Sequence, residues 1–371
     1  MGVFKLKKGY DIPLQGSAER RVEKAPKTTA VAVQPIDFRG LRPAMKVEAG
    51  DKVSRGSILF VDKQKPEILF RSPAAGTVRE VVRGERRVIQ RVIIDVAGDT
   101  AEKFDSYTAD QVNAFSTSQA KELLLNSGLW PAIRQRPFSK IADVEASPKA
   151  IIISAVDSAP LQAESDILLD GQEKTFQLGI QLLSKLTEGK IHLSVSEKTK
   201  AFFSNISGVE LHEFSGPHPA GNVGVQIHHI DRIQAPEKVW YLSPRHVSQL
   251  GSFLSTGEYP GSKTYALTGS ELEKRYYVIG TEGALVSDLV STTLQNNTQR
   301  VISGNVLTGA KSSSLGFVGF YDDMITVVPE LEGRRFFGWL RLGLQANSFW
   351  PMFLSKLTPK KKLAPTTDMN G

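Results

Sequence analysis

The sequence predicts a multidomain chain: an all-β module first, an α/β domain in the middle, and a small α+β module after it. Three observations carry this. Residues 1–100 hold short alternating apolar runs separated by turn residues. The run from Ala150 to Val156 is apolar apart from Ser154 and rich in β-branched residues, as in a strand covered on both faces, and an amphipathic stretch and a second strand pattern follow it. Short strand patterns then return after residue 256. A length of 371 residues accommodates roughly two to four such units. The expected divisions are 1–100, 101–255, 256–330 and a basic aromatic segment, 331–371.

In the first module, Thr29 to Gln34 alternates as a strand, and Gly50 to Val53 turns into Ser57 to Val61. Asp62 to Pro66 is a polar turn before Glu67 to Phe70. Pro73 to Gly76 turns into Thr77 to Val82, and Gly84 to Arg86 into Val88 to Val96. Many short strands with close turns describe a small sandwich or barrel.

In the middle domain, Leu123, Leu124, Leu125 and Leu129 fit a helix that stops at Gly128. Gln172 to Leu186 reads as an amphipathic helix with Phe176, Ile180, Leu183 and Leu186 on one face, and Gly189 breaks it before a strand at Lys190 to Val195. Strand, helix, strand is the unit of a Rossmann-like sheet. No Gly-x-Gly-x-x-Gly follows Ile151, so dinucleotide binding in the usual way has no support. In the third module, Tyr265 to Thr268, Tyr276 to Ile279, Arg300 to Ser303 and Met324 to Val328 read as strands and Ala284 to Leu289 as a short helix, a β-grasp type of arrangement. The end, from Arg334 through Trp339 and Trp350 to the polar tail, suits a protein interface more than a membrane surface.

Composition narrows the chemistry. The chain has no cysteine, which excludes disulfides, thiolate zinc sites and Cys-held iron–sulfur clusters. The net charge of +7 is polarised: residues 1–92 hold 20 Lys+Arg against 10 Asp+Glu, residues 93–332 hold 19 against 28, and residues 333–367 hold 7 basic groups and no acidic one. An acidic middle would repel a polyanion, so nucleic acid is not expected; acidic partner proteins or anionic lipid suit the ends better. No apolar run is long enough to span a bilayer, and the first ten residues lack a signal-peptide core.

The stretch Ser215 to Asp231 concentrates three glycines, two prolines and His218, His228 and His229. It reads as a Gly-rich loop between strands, whose free amides can hold anionic oxygens. Gly216, His218, Gly221, Asn222 and Gly224 are the candidate ligand-contacting or quinone-proximal residues; a surface crossover is the plainer alternative. Adjacent His228 and His229 would point to opposite faces of a strand. His212 and His218 could join one of them, but no acidic residue sits at ligand spacing, so no metal site is expected. Gly304 to Ser312 nearly spells a phosphate loop, but Ala310 displaces Lys311, which favours a turn. No Gly-x-Ser-x-Gly and no Ser/His/Asp set is present, so no catalytic residue is assigned.

Val47 to Gly56 followed by Ser72 to Val78 resembles the biotinyl/lipoyl-like barrel-sandwich hybrid. Carriers of that fold modify a lysine at a hairpin tip. Lys63 and Lys65 occupy such a turn here, without the carrier signature.

The whole chain resembles the A-subunit family of sodium-translocating NADH:quinone oxidoreductases. Lys8 to Gly16 carries the resemblance, with the barrel segment, Phe214 to Gly221 and Val301 to Gly309. The family is related to the C subunit of the Rnf complex and the flavin subunit of respiratory complex I. The resemblance implies a barrel-sandwich hybrid, a Rossmann-like domain and an SLBB-like β-grasp module. It also implies a peripheral subunit on the cytoplasmic face of the bacterial inner membrane. Its partners would be the other subunits, which make most of the membrane contact. Such complexes couple NADH oxidation and ubiquinone or menaquinone reduction to Na⁺ export. FAD, FMN, riboflavin and the iron centres would belong to the other subunits and none to this chain, which would help shape a quinone site. Where relatives carry a Gly-rich flavin loop, Gly128 to Phe138 is bulky. Family members also run past residue 371, so a truncation is expected there. The competing reading is a flavin- or nucleotide-binding electron carrier that uses the 215–231 loop.

Overall fold

The computed structural model describes residues 2–156, 158–290 and 298–330, with 294, 342, 354 and 362–364. The basic aromatic segment 331–371 therefore lies almost wholly outside the described residues.

Two antiparallel sheets build the N-terminal module. One orders Ala30–Val33, Ile89–Val96, Gly76–Arg83 and Lys52–Val53; the other orders Pro43–Met45, Ile58–Asp62 and Leu69–Arg71. Alternation turns Val31, Phe60, Phe70, Val78, Val92 and Ile94 inward, and the Phe60 and Phe70 rings stack at 4.6 Å. The expected strands are present with ends shifted by a residue or two.

The central sheet has seven strands, in the order Gly2–Lys5, Glu210–Ser215, Lys190–Val195, Ala150–Ala155, Val239–Leu242, Arg134–Arg136, Lys140–Ile141. The first five are mutually parallel; Arg134–Arg136 pairs antiparallel to Val239–Leu242, and Lys140–Ile141 antiparallel to Arg134–Arg136. From Ala150–Ala155 the chain steps outward twice, then returns to place Val239–Leu242 on the other side. The strand order thus reverses beside Ala150–Ala155, and a crevice opens at the carboxyl ends there. Ile151 and Ile153 face the main core with the helices Glu173–Leu183 and Pro244–Thr256, while Ile152 faces Ile227 of the helix Val223–Ile230. The sheet is therefore covered on both faces. The helix Thr117–Ser127 ends on a left-handed Gly128, as its leucine pattern predicts.

Two sequence expectations need correction here. Residues 215–231 are not loop throughout: Val223–Ile230 is a helix, because Val223, Ile227 and Ile230 fall at helical spacing and bury one face on the sheet. His228 and His229 lie on that helix, not in a strand. The strand Glu210–Ser215 is not legible in the sequence, since Glu210, His212 and Glu213 mask its alternation.

The third sheet orders Ala310–Ser312, Gln299–Ser303, Met324–Pro329, Ser262–Thr268, Tyr277–Thr281 and Val22–Lys24, with the helix Val286–Leu289 packed beside it. The chain's first residues thus serve other units: Gly2–Lys5 edges the central sheet and Val22–Lys24 the third. No helix among the described residues is long and apolar enough to cross a membrane.

Candidate functional site

The reversal of strand order opens a cleft of about 660 Å³. Ser154 and Ser158 come from the end of the Ala150 strand and the loop after it, Tyr241 and Ser243 from the Val239 strand and its exit, and Gly221 to Val225 from the turn into the Val223 helix. Asn305 and Thr308 of the third domain close one side.

Arg134 and Arg136 alternate onto the cleft face of their strand, while Gln135 points away and accepts from the Asp143 amide at 2.9 Å. Arg134 stands opposite Tyr241 across the strand pair. Its guanidinium lies 4.6 Å from the Tyr241 ring and 4.1 Å from the Tyr321 ring; that of Arg136 lies 5.3 Å from Tyr241. Both Nε atoms are buried without a partner, and neither arginine forms an ion pair among the described residues. No carboxylate or imidazole lines the cleft among the described residues. Two stacked cations beside a helix start, with no base or nucleophile pair, are equipped for binding oxygen-rich groups rather than for proton transfer.

The five predicted residues separate by role. Gly221, Asn222 and Gly224 line the cleft. The Gly221 amide donates to Ser158 Oγ at 2.6 Å, and Ser158 Oγ lies 3.1 Å from His218 Nδ1. His218 stands one residue back: its amide donates to Asp11 Oδ1 at 2.9 Å and its carbonyl accepts from the Tyr10 amide at 2.9 Å. Gly216 has φ +124°, and a Cβ there would meet the Leu6 carbonyl oxygen at 2.2 Å. Gly216 and His218 thus anchor the N-terminal strap, while the other three face the cleft. Sequence reasoning misses Arg134 and Arg136, because an Arg-Gln-Arg run carries no motif.

The other candidate motifs resolve as follows. His218, His228 and His229 do not gather around His212. His212 Nε2 instead lies 2.9 Å from His192 Nδ1, with Glu210 beside both. Burial lowers the His192 pKa, and burial with the neighbouring His192 lowers that of His212 to about 4. An acidic neighbour therefore exists for His212 two residues earlier on its own strand, and the second imidazole, His192, is reached across the sheet. Residues 304–309 form a turn between Gln299–Ser303 and Ala310–Ser312, where Asn305 Oδ1 accepts from the Leu307 amide at 2.9 Å and the Thr308 amide at 3.0 Å; among the described residues no helix follows as in a phosphate loop. Lys65 pairs with Asp143 of the central domain, and this hydrogen bond holds the Asp143 carboxyl down at about 2. Trp130, Pro131, Ala132 and Ile133 are all buried, so the bulky segment after Gly128 is core.

Comparison with known proteins agrees domain by domain. Residues 4–97 match the family model of the NqrA N-terminal barrel-sandwich hybrid domain, residues 115–259 that of the NqrA second alpha/beta domain, and residues 264–314 that of the NQRA C-terminal domain. The A subunit of the Na(+)-translocating NADH-quinone reductase of Marinomonas sp. (strain MWYL1) is 37% identical over 370 residues, which is 100% of this chain and 83% of that protein. The protein of the same name from Pasteurella multocida (strain Pm70) is 36% identical over 99% of this chain and 82% of its own length. A crystal structure of an NAD+-reducing hydrogenase is a loose match, 13% identical over 60% of this chain and 49% of that one with a TM-score of 0.42, and adds nothing to what the sequence relatives show. The chain belongs to the NqrA family, the A subunits of Na(+)-translocating NADH-quinone reductases.

Proposed function

We propose that this chain is the peripheral NqrA component of a Na⁺-translocating NADH:quinone reductase, seated on the cytoplasmic face of the membrane among the other subunits. The observation that carries this is the 37% identity running over 370 residues and through all three domains. The chain holds no redox centre of its own in this reading. It lacks cysteine, and the segment where relatives in flavoproteins carry glycines is filled by buried Trp130 and Ile133. Its contribution to chemistry is the cleft, which receives a quinone headgroup. Val223, Val225 and Leu242 offer an apolar wall, and Arg134 and Arg136 offer donors to the carbonyl oxygens.

The test is reconstitution of the membrane complex with and without this chain, reading quinone reduction and Na⁺ uptake. Full activity in both without the chain overturns the proposal. A second reading, a phosphorylated flavin or nucleotide in the same cleft, is favoured because neither arginine has a carboxylate partner among the described residues. Titrating the isolated chain with FMN, with riboflavin and with a short-chain quinone separates the two. The second reading expects FMN to bind and riboflavin, which lacks the phosphate, to bind far more weakly; the first expects the quinone to bind and FMN to have no such advantage.

A further inference from the structure

We propose that His192, His212 and Glu210 form a binding site for a divalent transition-metal ion of the zinc class, at the edge of the central sheet where the N-terminal strand joins it.

His192 projects from the strand Lys190–Val195, and Glu210 and His212 from the neighbouring strand Glu210–Ser215. Parallel register sets His192 opposite Glu210, and Glu210 and His212 share a face two residues apart. Their ligand atoms converge: His192 Nδ1 to His212 Nε2 is 2.9 Å, His192 Nδ1 to Glu210 Oε2 is 3.4 Å, and His212 Nε2 to Glu210 Oε2 is 4.0 Å. A point equidistant from three atoms so placed lies about 2.0 Å from each, which is the bond length of zinc to imidazole nitrogen and carboxylate oxygen. These three are the one such group of His, Asp or Glu among the described residues.

The surroundings suit a cation. Both imidazoles are buried, while the Glu210 side chain is 43% exposed, so the site is built within the protein yet open to solvent on one side. Lys190 pairs with Glu210 through Oε1 and leaves Oε2 turned to the two rings. His212 Nδ1 is buried without a partner. In the metal-free protein one ring donates to the other. Moving that one proton to the donor ring's other nitrogen, Nδ1 of His212 or Nε2 of His192, frees both facing lone pairs, so binding needs a tautomer change and no net proton release. Two imidazoles and one carboxylate with an open position select zinc, copper or nickel over magnesium or calcium. The ion would staple two adjacent strands. Because Gly2 pairs in register with His212, the staple also lies against the attachment of the first strand.

The experiment uses the full chain stripped with chelator. Zn²⁺ is titrated by calorimetry, and Co²⁺ is followed by its visible absorption, which reports ligand number directly. One ion per chain is expected, with a coloured Co²⁺ complex. Each of His192→Gln, His212→Gln and Glu210→Gln should weaken binding at least about tenfold. His228→Gln and His229→Gln should leave it unchanged. Far-UV circular dichroism checks the fold of each variant. Should either histidine variant misfold, Glu210→Gln decides, because its side chain is half exposed. No uptake at micromolar Zn²⁺, unchanged uptake in the triple variant, or loss only in the His228 and His229 variants overturns the site.

Discussion

The Nε of Arg245, on the last helix of the central domain, donates to Oδ1 of Asp323 in the third domain at 2.5 Å, with both side chains largely withdrawn from water. The same guanidinium donates to Gln249 Oε1 and to the Phe320 carbonyl, each at 2.9 Å, and lies 3.4 Å from Glu282 Oε2. Asp323 opposes burial and raises the Arg245 pKa, and burial pushes the adjacent His246 well down. Lys263, with its pKa lowered to about 8 by burial, donates to the same Phe320 carbonyl at 3.0 Å. This network is the polar clasp between the two domains.

Removing the clasp should be costly. Arg245→Met leaves the Asp323 and Glu282 carboxylates buried with less compensation, and losing one partner of a buried pair typically costs about 3–5 kcal/mol. Urea unfolding of the variant is expected to show a lower midpoint and a separate early transition for the third domain. A single transition at the wild-type midpoint would remove the clasp from the account.

Asp37 predicts a pH dependence. Burial raises its pKa from 3.8 to about 6, although its carboxylate accepts from the Phe320 amide at 2.8 Å. The folded chain therefore holds a proton that the unfolded chain has released. Stability falls as pH rises from about 4 to about 6 and stays lower above that window. Asp37→Asn should remove this slope and raise stability at pH 7 relative to wild type. Denaturation across a pH series checks it; an identical slope in both proteins counts against it.

Two cleft glycines should behave oppositely. A Cβ on Gly221 would meet Ser158 Oγ and the Val156 carbonyl oxygen, each at 2.7 Å, whereas a Cβ on Gly224 meets nothing within 4 Å. Gly221→Ala is expected to destabilise and to distort the cleft. Gly224→Ala, in the first turn of a helix, should gain up to about 1 kcal/mol. Thermal unfolding of the pair decides, and equal losses would refute the distinction.

The arginines should govern the cleft. Arg134→Ala or Arg136→Ala should weaken ligand binding by about 1.5–3 kcal/mol, roughly tenfold to a hundredfold, the usual worth of a charged hydrogen bond. Arg134→Lys should not restore it, since an ammonium cannot stack flat between Tyr241 and Tyr321. Binding titrations with wild-type unfolding curves for the variants make the check; full binding by Arg134→Ala would exclude its role.

Local pattern determined much of this protein. The β-branched run at Ala150, the leucines before Gly128 and the short runs from Thr29 to Val96 each dictate an element that the structure contains, because burial of one face imposes a period that sequence displays directly. The specific Gly-Pro-His-Pro-Ala-Gly string, Gly216 to Gly221, disclosed the family. Only the tertiary structure decided which elements stand side by side. It returned the chain past the Ala150 strand to open the cleft, brought Arg134 against Tyr241, set His192 across from Glu210, and sent residues 2–5 and 22–24 to two different sheets. Strand neighbours and register follow from how whole faces pack, and that sum over distant residues leaves no mark on any one stretch of chain.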